Sequence, residues 1–102
     1  MSSKEADAPR PQLVPHRLRL YVAGSNVRSL RAVQNLKRVC EAELPGSYKL
    51  EVVDIYKNPR RAADDRIVAI PTLIKEAPGV VTRMIGDLSK TSLVRHGLGL
   101  GL

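Results

Sequence analysis

The chain has 102 residues, of which 43% are hydrophobic and 26% charged, a composition typical of a soluble globular domain with one modest core. Its only aromatic residues are three tyrosines, so leucine, valine, isoleucine and alanine must fill that core. The net charge of +7 favours anionic partners, but charge alone does not choose among nucleic acid, acidic protein surfaces and nucleotides.

A single cysteine, Cys40, excludes an internal disulfide and a cysteine-based metal cluster, so nothing in the sequence requires an oxidising compartment. No stretch has the apolar core of a signal peptide or approaches the ~18 apolar residues of a membrane span. We therefore expect a cytoplasmic protein without membrane attachment. Residues 1–15 are rich in charge and proline and are predicted to form a mobile tail, which leaves residues 16–102 as a single domain.

The first half of this domain is predicted to form a strand, a helix and a second strand. Apolar and polar residues alternate from His16 to Ala23, as in a strand with one buried face. Ser25 or Asn26 can cap the following helix, whose apolar residues recur every three or four positions until Pro45-Gly46 ends it. The next strand spans Lys49 to Ile55. Two strands joined by a helix predict a right-handed parallel βαβ unit.

The second half begins with Asn58-Pro59, a helix-start signature that predicts a short, charged helix reaching Arg66. Pro71 then marks a junction, because proline cannot donate to a sheet ladder and the Ile70-Pro71 bond can be cis at modest cost. The remaining predicted elements are a strand over Thr72 to Lys75, a turn at Ala77-Pro78-Gly79, a returning strand over Val80 to Ile85 and a last helix capped by Ser89.

The resulting order, β-α-β-α-β-β-α with proline before the third strand, is that of the thioredoxin fold, which carries a cis-proline there. A redox enzyme of this fold needs a thiolate at the start of the first helix. Residues 23–29 contain no cysteine, and Cys40 lies on the apolar side of the helix, where a thiol is a poor nucleophile. Ser25 or Ser29 could bind a thiol cofactor, so a thiol or redox enzyme stays open as an alternative.

The other polar residues offer no stronger site. His16 and His96 are far apart in sequence and are interpreted as solvated. Asp64 and Asp65 are adjacent on a helix, so their side chains diverge, and a solvated helix face is expected. Nucleic acid is not favoured as a partner, because no aromatic stacking pair or recognition motif accompanies the positive charge.

The C-terminal stretch contradicts the predicted order. Glycine and leucine alternate from Gly97 to Leu102, a period of two that is typical of a strand, where the fold requires a helix. Each glycine inside a helix costs about 1 kcal/mol relative to alanine. Such conflicts between local preference and global fold are typical of functional or bistable regions.

Four segments together resemble the KaiB family of circadian clock proteins and their bacterial homologues. They occur in the family's order and spacing, and the resemblance covers about Arg17 to Leu100. The segments are Leu20-Tyr21-Val22-Ala23-Gly24, Lys57-Asn58-Pro59, Ala69-Ile70-Pro71-Thr72-Leu73 and Ile85-Gly86-Asp87-Leu88-Ser89.

The resemblance implies a non-enzymatic regulator without a cofactor that switches between two folds. In the family, a ground-state oligomer, usually a tetramer, has the order βαββααβ, and a rarer thioredoxin-like monomer binds the ATPase ring of KaiC. The bound form sequesters KaiA or displaces a histidine kinase, so that KaiC dephosphorylates. We expect the ground-state form, as a tetramer or dimer, for the free protein, because the glycines disfavour the final helix.

Partner contacts and hinges follow from the same resemblance. An acidic ring would attract the basic and polar residues clustered before Pro71. We predict partner contacts at Lys57, Asn58, Arg60, Arg61 and Arg66, and hinges at Pro71, Pro78, Gly97 and Gly99. Glu51 stands where many members carry lysine, in a region used for contacts with KaiA and the kinase. A stress-response regulator outside the clock is therefore a further alternative.

Overall fold

A computed structural model describes residues 14–101. The predicted tail therefore lies outside the described residues, except for residues 14 and 15. The elements occur in the predicted thioredoxin-like order. They are β1 (His16–Val22), α1 (Val27–Glu43), β2 (Tyr48–Asp54), α2 (Pro59–Asp64), β3 (Thr72–Ala77), β4 (Thr82–Ile85) and α3 (Thr91–Gly97). The alternative order βαββααβ, expected for the free protein, is not the one in this structure and stays a prediction.

The four strands form one sheet in the order β2-β1-β3-β4. β1 pairs in parallel with β2, as predicted, and antiparallel with β3, while β4 returns antiparallel beside β3. The peptide bonds before Pro71 and Pro78 are both cis. None of the helices in residues 14–101 has both the length and the apolar character needed to cross a bilayer.

Each face of β1 contributes to a separate core cluster. Leu18, Leu20 and Val22 point to one face and pack with residues of α1 and α3, among them Leu36 and Val94. On the opposite face Tyr21, Val53 and Ile74 form a smaller cluster, against which Ala62 of α2 and Ile67 pack. The period-two alternation in β1 thus places α1 and α3 on one side of the sheet and α2 on the other.

Some predicted boundaries were confirmed and others were wrong, for local reasons. Of the two residues predicted to cap α1, Asn26 is the cap, because its side chain accepts a hydrogen bond from the Ser29 amide at 2.8 Å. Ser89 does not cap α3, since Lys90 holds the cap position and the Ser89 amide instead donates to the Asp87 carboxylate. The strand expected from Val80 begins only at Thr82.

The Gly-Leu alternation at the C-terminus is the end of a helix in this structure, so its interpretation as a strand pattern is wrong for this fold. The amide of Leu100 donates to the Arg95 carbonyl at 2.9 Å, and the amide of Gly99 donates to the His96 carbonyl at 3.0 Å. This pair of bonds is the Schellman motif, which requires a left-handed residue. Gly99 supplies that residue, with φ at +77°.

Gly97 has a different local role. A Cβ atom at this position would overlap the flexible side chain of Met84, so glycine leaves room for that side chain between the end of α3 and β4. Leu98 then follows as a fully buried residue of the core. In the sequence, Gly97 and Gly99 contradict the expected helix. In this fold, packing against Met84 explains Gly97, and helix termination explains Gly99. Their predicted role as hinges stays a prediction.

Because Leu20 is fully buried in the central strand, Leu20→Ala should lower the free energy of unfolding by about 2–5 kcal/mol, the usual effect of a large cavity. Urea denaturation monitored by circular dichroism measures this change. Val52→Ala is the matched control, since Val52 lies on the edge strand and is 44% exposed, and its loss should stay below about 1 kcal/mol. Equal losses for both variants would contradict the core assignment.

Candidate partner-binding surface

The strand pairings bring four loops to one end of the sheet. β1 and β2 are parallel, so the loops that follow them lie at the same end. β3 begins there, since Thr72 pairs with Tyr21, and β4 ends there, since Ile85 pairs with Thr72. We call this the carboxyl-end surface, formed by residues 23–26, 55–58, 67–71 and 86–90. Loops at the carboxyl ends of strands are the usual binding region of open α/β sheets.

Asp54 holds two of these loops together. One carboxylate oxygen accepts hydrogen bonds from the amides of Gly24, at 3.1 Å, and Tyr56, at 2.9 Å. The Asp54 carbonyl accepts from the amides of Lys57 and Asn58 and from the Asn58 side chain. The sequence analysis missed this residue, although an aspartate at the end of a strand before an Asn-Pro turn is a known turn former.

A charged network fixes α2 on the sheet. The Tyr21 hydroxyl donates to the Asp65 carboxylate, and Nη1 of Arg19 lies 2.8 Å from the same carboxylate. Nη2 of Arg19 reaches Glu76 of β3 at 2.5 Å. The Tyr21 hydrogen bond, followed by Arg19, lowers the pKa of Asp65, while burial and the Asp65 contact raise the pKa of Tyr21. The solvated face expected at Asp65 is therefore wrong, whereas Asp64 is exposed.

Arg61 belongs to this network, and its side chain is held by Glu51 of β2. Its guanidinium makes two hydrogen bonds to the Glu51 carboxylate, at 2.6 and 2.8 Å, and Nε of Arg19 lies 3.4 Å from the same group. The hydrogen bonds from Arg61 lower the pKa of Glu51 to about 2. A bidentate pair of this kind fixes the orientation of both side chains.

The five predicted contact residues thus separate into two groups. Asn58 and Arg61 hold the loop and the network, as described above. Lys57, Arg60 and Arg66 are exposed, and none of the salt bridges within residues 14–101 involves them. The structure therefore leaves three cations available on and around α2.

Arg66 stands in an unusual backbone conformation. Its φ is +55°, and the amides of Arg66 and Ile67 donate to the carbonyls of Ala63 and Ala62, which makes Arg66 the left-handed residue of a second Schellman motif. Glycine is the usual residue here, since a side chain costs about 1–2 kcal/mol in this conformation. Arg83 of β4 stabilises the turn by donating to the carbonyls of Asp65 and Arg66.

The remaining candidates do not assemble a catalytic or metal site. Cys40 is fully buried, and burial, followed by the charge of Glu41, raises the pKa of its thiol to about 11. His16 is half-buried and its Nε2 lies 2.8 Å from the Leu98 carbonyl, so its interpretation as solvated is wrong, while His96 is exposed. Within residues 14–101 no three histidine, cysteine or acidic side chains cluster around a common point.

Acid should weaken this network in a defined range. Glu51 and Asp65 have lowered pKa values in the folded state, so their contribution is fully present above the unfolded value of about 4 and is lost as pH falls toward the folded value, which for Glu51 is about 2. We therefore expect the free energy of unfolding to fall between about pH 4.5 and pH 2.

Denaturant titrations of variants at several pH values measure this dependence. Glu51→Gln and Asp65→Asn should each flatten the acid dependence, because the group that is protonated on acidification has been removed. Asp64→Asn changes an exposed neighbour and should keep the wild-type profile. If all three variants followed the wild-type curve, the network would not contribute to stability.

Comparison with known proteins identifies the family. The KaiB domain family model matches residues 19–100. The circadian clock oscillator protein KaiB of Synechococcus elongatus is 49% identical over 83 residues, which cover 81% of each chain. The circadian clock protein KaiB3 of Synechocystis is 42% identical over 83 residues, which also cover 81% of each chain.

Solved structures agree on the fold. The N-terminal domain of SasA from Synechococcus elongatus superposes with a TM-score of 0.70 at 25% identity, covering 99% of this chain and 96% of that domain. Chloroplastic thioredoxin z gives a TM-score of 0.67 at 19% identity, covering 89% of this chain and 84% of its own, and so shows the fold alone. With a thioredoxin-like fold and these sequence matches, this chain belongs to the KaiB family.

Proposed function

We propose that this protein is a cytoplasmic, non-enzymatic regulator that binds the ATPase ring of a KaiC-type partner and modulates its phosphorylation in a timing system. The observation that carries the proposal is membership of the KaiB family over residues 19–100. The thioredoxin-like order of the structure supports it as well, because the family resemblance assigns KaiC binding to that form.

The chemistry of the chain supports a binding role over a redox role. In thioredoxin-like enzymes the reactive thiolate lies at the start of the first helix and has a lowered pKa. Here residues 23–26 supply no thiol, and Cys40 is buried with its pKa raised to about 11. At neutral pH such a thiol is protonated and out of reach of a substrate.

The partner contacts are proposed at the exposed cations of α2 and its flanking loops. Lys57 lies on the carboxyl-end surface, and Arg60 and Arg66 lie on and just after α2. Exposed cations at an interface raise the association rate with an acidic partner and favour one orientation. The strained conformation of Arg66 adds support, because residues held in unfavourable regions concentrate at functional sites.

Switching between two folds and self-association of the free form are part of the proposal. The free protein would be a ground-state tetramer or dimer that converts to a thioredoxin-like monomer before it binds. The N-terminal half, through β2, would stay constant, with Pro71, Pro78, Gly97 and Gly99 as hinges of the other half. A SasA-type domain of the same fold would compete for the ring, since similar surfaces fit the same partner.

A KaiB-like regulator outside the clock is the second candidate, and Glu51 is the observation that favours it. Its carboxylate is occupied by Arg61 and Arg19, where the family resemblance suggests a lysine for contacts with KaiA. Binding to the cognate KaiC-type ring without binding to any KaiA-type protein would support this role over a full oscillator role.

Charge reversal should separate partner contacts from stabilising residues. Lys57→Glu and Arg60→Glu should each weaken binding to the purified cognate KaiC-type ATPase in the presence of ATP by about tenfold, because each replaces an attraction with a repulsion. Size-exclusion chromatography and biolayer interferometry measure this. Lys49→Glu is the control, since Lys49 is also exposed but lies near the opposite end of β2. Failure of the wild-type chain to bind the ring would contradict the proposed function.

Arg66→Gly offers a sharper test of the same surface. Glycine relieves the left-handed strain, so the free energy of unfolding should stay constant or rise by up to about 1 kcal/mol. Binding to the ring should nevertheless weaken, because a cation is lost. A variant that is as stable as the wild type and binds equally well would exclude Arg66 from the interface.

Gly99→Ala should shift the population away from the thioredoxin-like form. Alanine disfavours φ of +77° by about 1–2 kcal/mol, which corresponds to a population change of about 5-fold to 30-fold. Nuclear magnetic resonance spectra of the free protein report the two forms as separate peak sets, and binding to the KaiC-type ring should weaken in parallel. Gly99→Asn is the control with a smaller shift, since asparagine tolerates this conformation better. Identical spectra and affinities for wild type and Gly99→Ala would contradict the switch.

A further inference from the structure

An open groove lies on the face of the sheet opposite to α2, where the first turn of α1, the end of β4 and the start of α3 meet. Its volume is about 410 Å³, within the range of ligand and side-chain binding pockets. The lining combines apolar and basic residues, among them Arg28, Met84, Leu88, Lys90 and Leu93. None of the five contact residues predicted from the sequence lines this groove.

The walls of the groove are held in place by the surrounding chain. The side-chain amide of Asn35 in α1 donates to the Asp87 carbonyl at 2.8 Å, and the Gly86 amide donates to the Pro71 carbonyl at 3.0 Å. Gly97 permits close contact of α3 with Met84 on the groove floor. A groove with fixed walls loses little conformational entropy when a partner enters it.

The charges around the groove favour an acidic occupant. Arg28 and Lys90 are exposed, and no salt bridge within residues 14–101 involves either of them. The acidic group among the lining residues, Asp87, already accepts a hydrogen bond from the Ser89 amide at 3.1 Å, and the hydrogen bonds from Ser89 lower its pKa. The two cations outnumber this carboxylate, so the net charge at the rim is positive.

An apolar side chain at the groove is exposed to solvent. Leu93 lines the groove and is 61% exposed, so a partner that covers the groove would bury apolar surface. Small-molecule sites orient their ligands with a few buried polar groups, whereas the polar side chains at this rim are exposed. This composition matches a protein interface in which an apolar anchor enters a pocket and charged groups surround it.

We propose that this groove receives an apolar side chain of an acidic partner segment, whose flanking carboxylates pair with Arg28 and Lys90. The inference rests on the proposed function and deepens it, since it makes the KaiC-type ring contact both faces of the domain. The partner segment therefore has a large aliphatic or aromatic residue bordered by aspartate or glutamate.

Two substitutions remove these contacts without weakening α3. Leu93 is the third residue of α3, and an acidic residue in a first helical turn is stabilising, so Leu93→Glu removes the apolar contact while it supports the helix. Lys90 holds the cap position without a side-chain cap, and aspartate is a preferred cap residue, so Lys90→Asp reverses the charge and improves the cap. Loss of binding in either variant is therefore separated from loss of folding.

The experiment measures affinity of the full chain for the purified cognate KaiC-type ATPase with ATP, at two salt concentrations. Leu93→Glu should lower affinity by at least about tenfold, as for a central anchor. Lys90→Asp should lower it by a smaller factor and reduce its salt dependence, since one ionic contact is lost. Val81→Glu is the matched control, because Val81 is also 61% exposed but lies outside the groove, before β4 at the opposite end of the sheet, and it should bind as the wild type does.

The outcomes separate the two proposals. If the wild-type chain binds the ring and both groove variants bind within about twofold of it, the groove is not the docking site and the proposed function stands. If the wild-type chain does not bind the ring, both proposals are overturned. If Val81→Glu weakens binding as much as Leu93→Glu, the effect is general surface charge and the groove inference is wrong.

Discussion

Arg19 and Tyr21 stand in the central strand, and their need for polar partners constrains the α2 side of the fold. Tyr21 is fully buried, and the Arg19 side chain is only 20% exposed, so neither can rely on water. A buried hydroxyl or cation without partners is strongly destabilising. The carboxylates of Asp65 and Glu76 satisfy these groups and thereby hold the C-terminal end of α2 and the neighbouring strand β3 against β1. Both this requirement and the apolar packing of Ala62 and Ile67 hold α2 on the sheet.

The elements that could be predicted from the sequence are those with local signals. Alternation in β1, the periodic apolar residues of α1 and the Asn-Pro start of α2 each depend on neighbours in sequence. The order of these elements was sufficient to predict the fold class. The network around Arg19 could not be predicted in this way, because it joins residues of β1, β2, α2 and β3 that are separated by up to 57 positions in the chain.

The same limit applies to the candidate surface. Lys57, Arg60 and Arg66 are exposed, as charged residues beside a helix start usually are. Arg61 has the same local sequence context, but its guanidinium is paired with Glu51 of β2, a residue that is distant in the local pattern. The groove beside α3 was missed for a related reason: its lining comes from three separate elements, and an exposed leucine or isoleucine carries no signal on its own in a sequence.

Tyr56, which packs beside Gly24, is an intrinsic fluorescence probe of the carboxyl-end surface. The chain has no tryptophan and three tyrosines, of which Tyr21 is fully buried, while the Tyr48 hydroxyl donates to Glu41. Tyr56 is 73% exposed, and its ring lies 3.5 Å from the position that a Cβ of Gly24 would take on the carboxyl-end surface. Solvent quenchers reach this ring far more readily than they reach Tyr21. Intrinsic tyrosine emission can therefore follow events at this surface without a label.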